Sequence, residues 1–305
     1  MLNVGLDFLF ILVFRMYYEG AALATVLSQL VSGSLCLLFA LLRYPILRPA
    51  KSDFQWDWHL AGGHLAEGLP MALQFSITAI GCMVQQTALN GLDAALPGVV
   101  TAYTAASKID SIATQTFVAL GTAMATYAGQ NYGAGRYDRI RKGVFVGMVY
   151  SAVSVGIGFI FTVGLYEPLM KLFLNTDLSS NVAAHYDEVL GYGQQFLLWQ
   201  SSFYILLGAI YVFRNTLQGI GKSFITTIAG ATELVGRIIA SLLFVHFWGF
   251  MGICMSNPVA WVAAVLFLVT TYYICIRKAS RANQTEEKTR RRLRLRHALA
   301  GRKAH

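Results

Sequence analysis

The sequence predicts an all-α polytopic membrane protein, a bundle of about eight transmembrane helices. Hydrophobic residues make up 56% of the chain and charged residues only 13%, whereas a soluble domain carries about 25% charged residues. Several apolar stretches reach about 20 residues, the length that crosses a hydrocarbon core about 30 Å thick. The sequence lacks the short segments of alternating polarity that are typical of membrane β-barrels.

Each predicted span is a long stretch with few or no charged residues. Two predicted spans, 97–127 and 223–246, contain two charged residues each. A short first segment ends near Arg15. Five further stretches contain no Asp, Glu, Lys or Arg: 20–42, 69–92, 143–166, 189–213 and 249–276. Together these segments predict eight spans.

The first segment is too short to cross a membrane by itself. A helix over residues 1–14 rises about 21 Å at 1.5 Å per residue. We therefore interpret the chain as beginning partway along a helix. Residues 3–7 (NVGLD) also resemble residues 233–237 (ELVGR), and a Gly-rich stretch follows an apolar run in both places. This weak internal match is typical of a repeat architecture.

The distribution of basic residues predicts the orientation. When eight spans alternate, 20 basic residues fall on one side, against Arg15 and Lys171 on the other. Cytoplasmic loops are the ones enriched in Lys and Arg, so we expect a multi-pass plasma-membrane protein with a cytoplasmic C-terminus. We interpret the basic segment 289–297 as a solvated tail near the acidic leaflet and not as a nucleic-acid site. The four cysteines are scattered through apolar spans and indicate neither a disulfide framework nor a zinc site.

Four ionisable residues are predicted to lie within the membrane, where such groups usually face a cavity and serve function. Glu233 and Arg237 stand four residues apart, the spacing of a helical ion pair. They either neutralise each other structurally or line a cavity and exchange partners. Lys108 and Asp110 cannot share a helix face, because a two-residue step rotates by about 200°. Each of them needs a partner from another helix, for packing or for handling substrate and protons.

Further candidates come from the internal match and from uncharged polar residues. Asp7 aligns with Arg237, and a desolvated carboxylate there would suit proton coupling or a structural cap. Gln74 and Gln115 belong to a set of eight amide residues in apolar spans, which predicts a partly hydrated cavity. The candidate substrate- and ion-binding residues are Asp7, Gln74, Lys108, Asp110, Gln115, Glu233 and Arg237.

Several motifs resemble those of the multidrug and toxic-compound extrusion (MATE) family. They are Gly-Leu-Pro at 68–70, AYTAASKID at 102–110, GQNYGAGR at 129–136 and RNTLQGIG at 214–221, together with NVGLD at 3–7 and GAALAT at 20–25. The resemblance implies a cation- or proton-coupled exporter with two lobes of six helices each. It implies four parts for this chain: a two-helix remnant of the first lobe (1–42), a cytoplasmic or interfacial linker (43–68), a six-helix second lobe (69–277) and a basic cytoplasmic tail (278–305).

One departure leaves the coupling ion open. Many members of the family carry a carboxylate about two turns after Gly-Leu-Pro, but residues 74–78 of this chain read QFSIT. Asp110, Glu233 or Asp7 could serve instead, with H⁺ or Na⁺ as the ion. We expect alternating-access export of amphipathic organic compounds by a monomer that needs no other cofactor and no metal.

Two alternative functions stay open, and a third class is disfavoured. The first is a lipid-linked precursor flippase of the same superfamily, whose cavity would be more cationic. The second is an inactive, truncated gene product. An enzyme is disfavoured, because the chain contains neither the HExxH metal motif nor the GxSxG nucleophile turn.

Overall fold

The structure is a computed structural model that describes residues 2–174 and 185–302, and these residues form helices and no strand. The chain divides into two compact units, Met1–Ala61 and Gly62–His305. The all-α membrane architecture predicted from composition is confirmed.

The first unit is built from two helices that pack against each other. Helix α1 spans Leu2–Asp7 and continues as a π-helical segment, Phe8–Val13; helix α2 spans Tyr17–Arg43. Arg15 and Tyr17 adopt positive φ angles of 54° and 46° in the turn between them. Two short 3₁₀ turns, Pro45–Leu47 and Lys51–Phe54, follow.

The second unit contains the longest helices. Its helices are α3 (Trp58–Leu92), α4 (Val99–Gly133), α5 (Tyr137–Phe159, extended by the π-helical segment Ile160–Gly164), α6 (Tyr166–Phe173), α7 (Tyr186–Ser202), α8 (Tyr204–Gly219), α9 (Ser223–Ile239, extended by the π-helical segment Ala240–Phe244), α10 (Val245–Trp248) and α11 (Phe250–Arg302). The first turn of α3 precedes the unit boundary.

Two helices extend beyond the apolar stretches that predicted them. Helix α3 begins at Trp58, inside the region 43–68 that we interpreted as a linker. Helix α11 continues to Arg302, into the predicted tail. Hydropathy marks the part of a helix that lies in hydrocarbon, but the backbone ladder continues past that part.

The stretch 189–213, predicted as one span, is divided in the structure. Helices α7 and α8 meet at Phe203 with a bend of 48°. Tyr204, the first residue of α8, is fully buried. The absence of charged residues predicted one span, because residues 189–213 contain none on either side of this break.

Among residues 2–174 and 185–302, five helices are long and apolar enough to cross a membrane, or six if the bent pair α7–α8 counts as one span. The two predicted spans outside this count form helices nevertheless. The segment Leu2–Val13 is too short, and α4, although 35 residues long, is not apolar enough. Helix α4 carries Lys108, Asp110 and Gln115, and this polar content makes it the span of functional interest.

Gly219 of the RNTLQGIG motif and Gly121 of α4 allow α8 to cross α4 at close range. A side chain at Gly219 would place its Cβ only 2.9 Å from the Cα of Ala125, and one at Gly121 would lie 3.0 Å from Cγ of Asn215. Small residues at such crossings allow the close backbone approach on which membrane helices depend for packing. This crossing fixes α8 against the helix that carries Asp110.

Candidate functional site: charges and amides inside the second unit

Asp110 projects from the buried side of α4 toward the start of α8. Its Oδ1 accepts a hydrogen bond of 2.7 Å from the hydroxyl of Tyr204. The Tyr204 ring packs edge-on against Phe117, two turns after Asp110, with ring centroids 5.9 Å apart. The carboxylate is thus held at the joint between α7 and α8.

Lys108 and Gln115 lie on the other side of α4. Both are exposed in this structure, as are Ser111 and Ile112 between them. The Lys108 ammonium lies 5.9 Å from the ring centre of Phe173 in α6, within reach of a cation–π contact. The helical rotation that separates Lys108 from Asp110 is therefore as predicted, and a role of Lys108 in handling substrate or protons stays a prediction.

The predicted ion pair between Glu233 and Arg237 does not form. Glu233 instead pairs with Arg214, near the end of α8, through Nη2 and Oε1. The two side chains are only 6% and 14% exposed, respectively. The sharp turn between α8 and α9 brings these positions together, so that Arg214, the first residue of the RNTLQGIG motif, neutralises Glu233 from within a helix.

Arg237, one turn further along α9, is bound by uncharged groups. Its Nε donates to Oδ1 of Asn257 over 3.1 Å, and its Nη1 reaches the carbonyl of Thr78 at 3.5 Å. The amide nitrogen of Asn257 in turn lies 3.4 Å from Oε1 of Gln200. The side chains of α9, α11 and α7 thereby form one chain of hydrogen bonds.

Pro258 explains why amide side chains gather at this place. Proline has no N–H, so the carbonyl four residues earlier in the helix, that of Cys254, loses its usual donor. The amide of Gln200 supplies a donor at 3.3 Å, and Gln85 of α3 reaches the neighbouring carbonyl of Ile253 at 3.4 Å. The glutamines therefore repair a helix that proline interrupts.

Gln74 belongs to a separate amide cluster. It is 4% exposed, and its Oε1 accepts a hydrogen bond of 3.0 Å from Nε2 of Gln218, which also lies 3.2 Å from Oγ1 of Thr226. Glu67 accepts from the backbone N–H of Ser223, the first residue of α9, at 3.3 Å. The hydrogen bonds of this cluster join α3 to the turn between α8 and α9 and so stabilise the packing of these helices.

Asp7 lies in the first unit, at the end of α1, and is half-buried. It lines a small groove with Val4, Phe8, Ile11 and Leu12. Its use as a coupling carboxylate remains a prediction. In residues 2–174 and 185–302, no group of three or more His, Cys, Asp or Glu side chains could hold a metal ion.

Sequence reasoning missed three partners of the candidate residues. They are Tyr204, Arg214 and Asn257, and none of them is among the candidate residues named from the sequence. For Asn257 a signal was present, because an Asn-Pro pair inside an apolar span indicates a helix whose backbone needs outside donors. The contacts of Tyr204 and Arg214 depend on helix packing and have no local signal.

The family model described as MatE matches residues 70–243, more than half of the chain. The chain belongs to the MatE family. Its match includes α4, α8 and α9 and therefore Asp110, Tyr204, Glu233 and Arg237. The family match and its several long apolar helices make it a multi-pass membrane protein.

Two curated relatives and one solved structure illustrate the similarity. The protein named "Probable multidrug resistance protein YpnP" of Bacillus subtilis is 31% identical over 220 residues, 72% of this chain and 46% of that protein. The "FAD transporter" of Shewanella oneidensis is 23% identical over 267 residues, 86% of this chain and 55% of that protein. The crystal structure of the MATE transporter VcmN of Vibrio cholerae has a TM-score of 0.78 at 19% identity, covering 91% of this chain and 60% of that one. The chain thus spans about half the length of the curated relatives it matches.

Proposed function

We propose that this chain is part of an ion-coupled antiporter that exports amphipathic organic compounds, and that Asp110 is its coupling carboxylate. One observation carries the proposal. Asp110 lies inside the second unit with the hydroxyl of Tyr204 as its side-chain partner, and no described Lys, Arg or His lies within 4.0 Å of it. A carboxylate without a fixed opposite charge is available to a mobile cation, either H⁺ or Na⁺.

The position of Tyr204 links this site to a conformational change. An ionised Asp110 accepts a hydrogen bond from the hydroxyl of Tyr204. A bound H⁺ or Na⁺ competes with that hydroxyl for the same carboxylate oxygen. Tyr204 is the first residue after the 48° bend between α7 and α8. Occupancy of Asp110 therefore acts on the joint between two helices, and a cation that binds one bend angle more tightly shifts the population toward it. Broken helices near the midplane serve this purpose in secondary transporters.

The substrate class follows from the names of the relatives and from the lining of the bundle. One relative is named for multidrug resistance and the other for FAD, a large aromatic compound with anionic groups. Buried amides and aromatic rings in the second unit suit compounds that are both apolar and polar. We further expect a plasma-membrane monomer with a cytoplasmic C-terminus.

The flippase alternative is less well supported than export of soluble compounds. Binding a lipid-linked pyrophosphate requires several free cations in one place. In the second unit Arg214 is neutralised by Glu233, and Lys108 lies on an exposed face of α4. Arg237 is then the one buried cation without a carboxylate partner among the described residues, too few for a pyrophosphate.

The test is gradient-driven efflux of a fluorescent dye in proteoliposomes that contain the full protein in which this chain occurs. Asp110→Asn keeps the size of the side chain but removes the charge, and we expect it to lower the gradient-driven rate at least about tenfold, which corresponds to about 1.4 kcal/mol. Asp93→Asn, which removes an exposed carboxylate of the same unit, serves as the matched control and should keep the rate. An Asp110→Asn protein that pumps like the wild type shows that Asp110 is structural.

A further inference from the structure

Arg237 is a buried cation whose charge no described residue balances. Its side chain is 5% exposed. Nε and Nη1 have uncharged acceptors, Asn257 and the carbonyl of Thr78. Nη2 has no acceptor, and no carboxylate lies within 4.0 Å of the guanidinium, in the part of the chain that the structure describes.

Among the described residues of the second unit, no carboxylate offsets the free-energy cost of burying this charge. A buried charge is normally paired, because removing it from water without a counter-charge is strongly unfavourable. The same helix shows the usual solution one turn earlier, where Glu233 pairs with Arg214. Arg237 differs in that its neighbours hold the guanidinium in place but leave its charge available.

The guanidinium packs directly against α3, next to a residue that is exposed. A side chain at Gly81 would place its Cβ 2.7 Å from Nη1 of Arg237, so the absence of a side chain there gives the guanidinium its room. The sulfur of Cys82, a residue that is exposed, lies 4.0 Å from the same Nη1. The guanidinium of Arg237 therefore lies directly beneath an exposed side chain of α3, that of Cys82.

We infer that Arg237 binds an oxyanion of the transported compound, so that the substrates include amphipathic carboxylic acids and zwitterions. A guanidinium presents parallel donors that match a carboxylate or a phosphate. Asn257 orients the group through Nε and the Thr78 carbonyl accepts from Nη1, which leaves Nη2 for the ligand. The inference rests on the proposed function, because it concerns the compound which that function exports.

The experiment compares two dyes that differ only in one charge. A rhodamine with a free carboxylate and the ethyl ester of the same rhodamine are titrated into purified full-length protein in neutral detergent, and binding is followed by fluorescence anisotropy. We expect the wild type to bind the acid at least about tenfold more tightly than the ester, as one charged contact allows. Arg237→Gln should remove this preference, and Arg141→Gln, which removes an exposed charge from α5, should keep it. Equal affinity of the wild type for both dyes overturns the inference, as does a preference that survives Arg237→Gln.

Cys82 gives a second measurement that needs no variant. The acid dye should slow maleimide labelling of Cys82 more than the ester does, while labelling of Cys36, exposed on α2, stays the same. Equal protection by both dyes overturns the inference even if Arg237→Gln does not fold. This readout is peptide mass spectrometry and does not depend on transport.

Two further arms separate the sources of the oxyanion and the two proposals. Inorganic phosphate and phosphatidylglycerol are added as competitors of the acid dye. If the lipid competes and the acid dye is not transported in vesicles, Arg237 binds lipid, and the inference that it recognises substrate is overturned. Gradient-driven transport of both dyes at equal affinity leaves the proposed function standing and removes the inference. Selective binding of the acid dye without any transport response to a H⁺ or Na⁺ gradient supports oxyanion binding by Arg237 and overturns the proposed ion-coupled function.

Discussion

The charged side chains inside the second unit have two different kinds of partner. Between α8 and α9, Arg214 and Glu233 neutralise each other in a largely buried ion pair. Asp110 and Arg237 instead have a tyrosine hydroxyl, an amide and a backbone carbonyl as partners. The first arrangement is complete within the protein, whereas the second leaves each charge open to a ligand. We therefore propose a structural role for the ion pair and a role in transport for the two single charges.

The largest effect is expected from breaking the pair. Glu233→Gln leaves Arg214 buried without a counter-charge and should lower the free energy of unfolding by about 3–5 kcal/mol. Denaturant titration of the purified protein in detergent measures this change. Replacing both residues, as Arg214→Met with Glu233→Leu, should cost less than the single change, because no charge is then left unbalanced. If Glu233→Gln is as stable as the wild type, the pair is not structural and the comparison fails.

A smaller effect is expected at the partner of Asp110. Tyr204→Phe removes the hydroxyl that donates to the carboxylate but keeps the ring against Phe117. A hydrogen bond to a charged group contributes about 1.5–3 kcal/mol, and we expect the free energy of unfolding to fall by an amount in that range. Tyr211→Phe, another tyrosine of α8, is the control and should change stability less. Equal losses in both variants would mean that the Asp110 contact has no special weight.

The smallest effect is expected at Lys108. Its ammonium lies on an exposed face of α4 and has a single aromatic contact, Phe173. Lys108→Gln should therefore change the free energy of unfolding by no more than about 0.5 kcal/mol, as exposed substitutions usually do. A loss comparable to that of Tyr204→Phe, in the same titration, would place Lys108 among the buried charges that it was predicted to join.

The sequence predicts the membrane fold and the two faces of α4, and the structure explains why. Hydrocarbon requires long apolar segments, and the helical period alone separates Asp110 from Lys108. Both properties are local, so they can be read from neighbouring residues. The buried position of Gln74 follows the same rule, since an amide in an apolar span needs an interhelical partner.

The partners of the charges could not be predicted, because they depend on how helices meet. The spacing of Glu233 and Arg237 favours an ion pair within α9. The turn after α8 instead brings Arg214 beside Glu233, and this tertiary contact replaces the local one. The bend at Phe203, which positions Tyr204 for Asp110, is equally invisible in hydropathy. Only the Asn257-Pro258 pair carried a readable signal of its contacts.

Cation release on substrate binding tests most directly whether Asp110 couples ion and substrate movement. A substrate dye is added to purified full-length protein in weakly buffered solution, and a pH indicator and a sodium-sensitive dye are followed together. If substrate and cation compete at Asp110, the wild type releases about one H⁺ or Na⁺ per bound dye molecule, as linkage between the two ligands requires. Asp110→Asn should bind the dye and release neither ion. Release that is unchanged in Asp110→Asn would contradict the account.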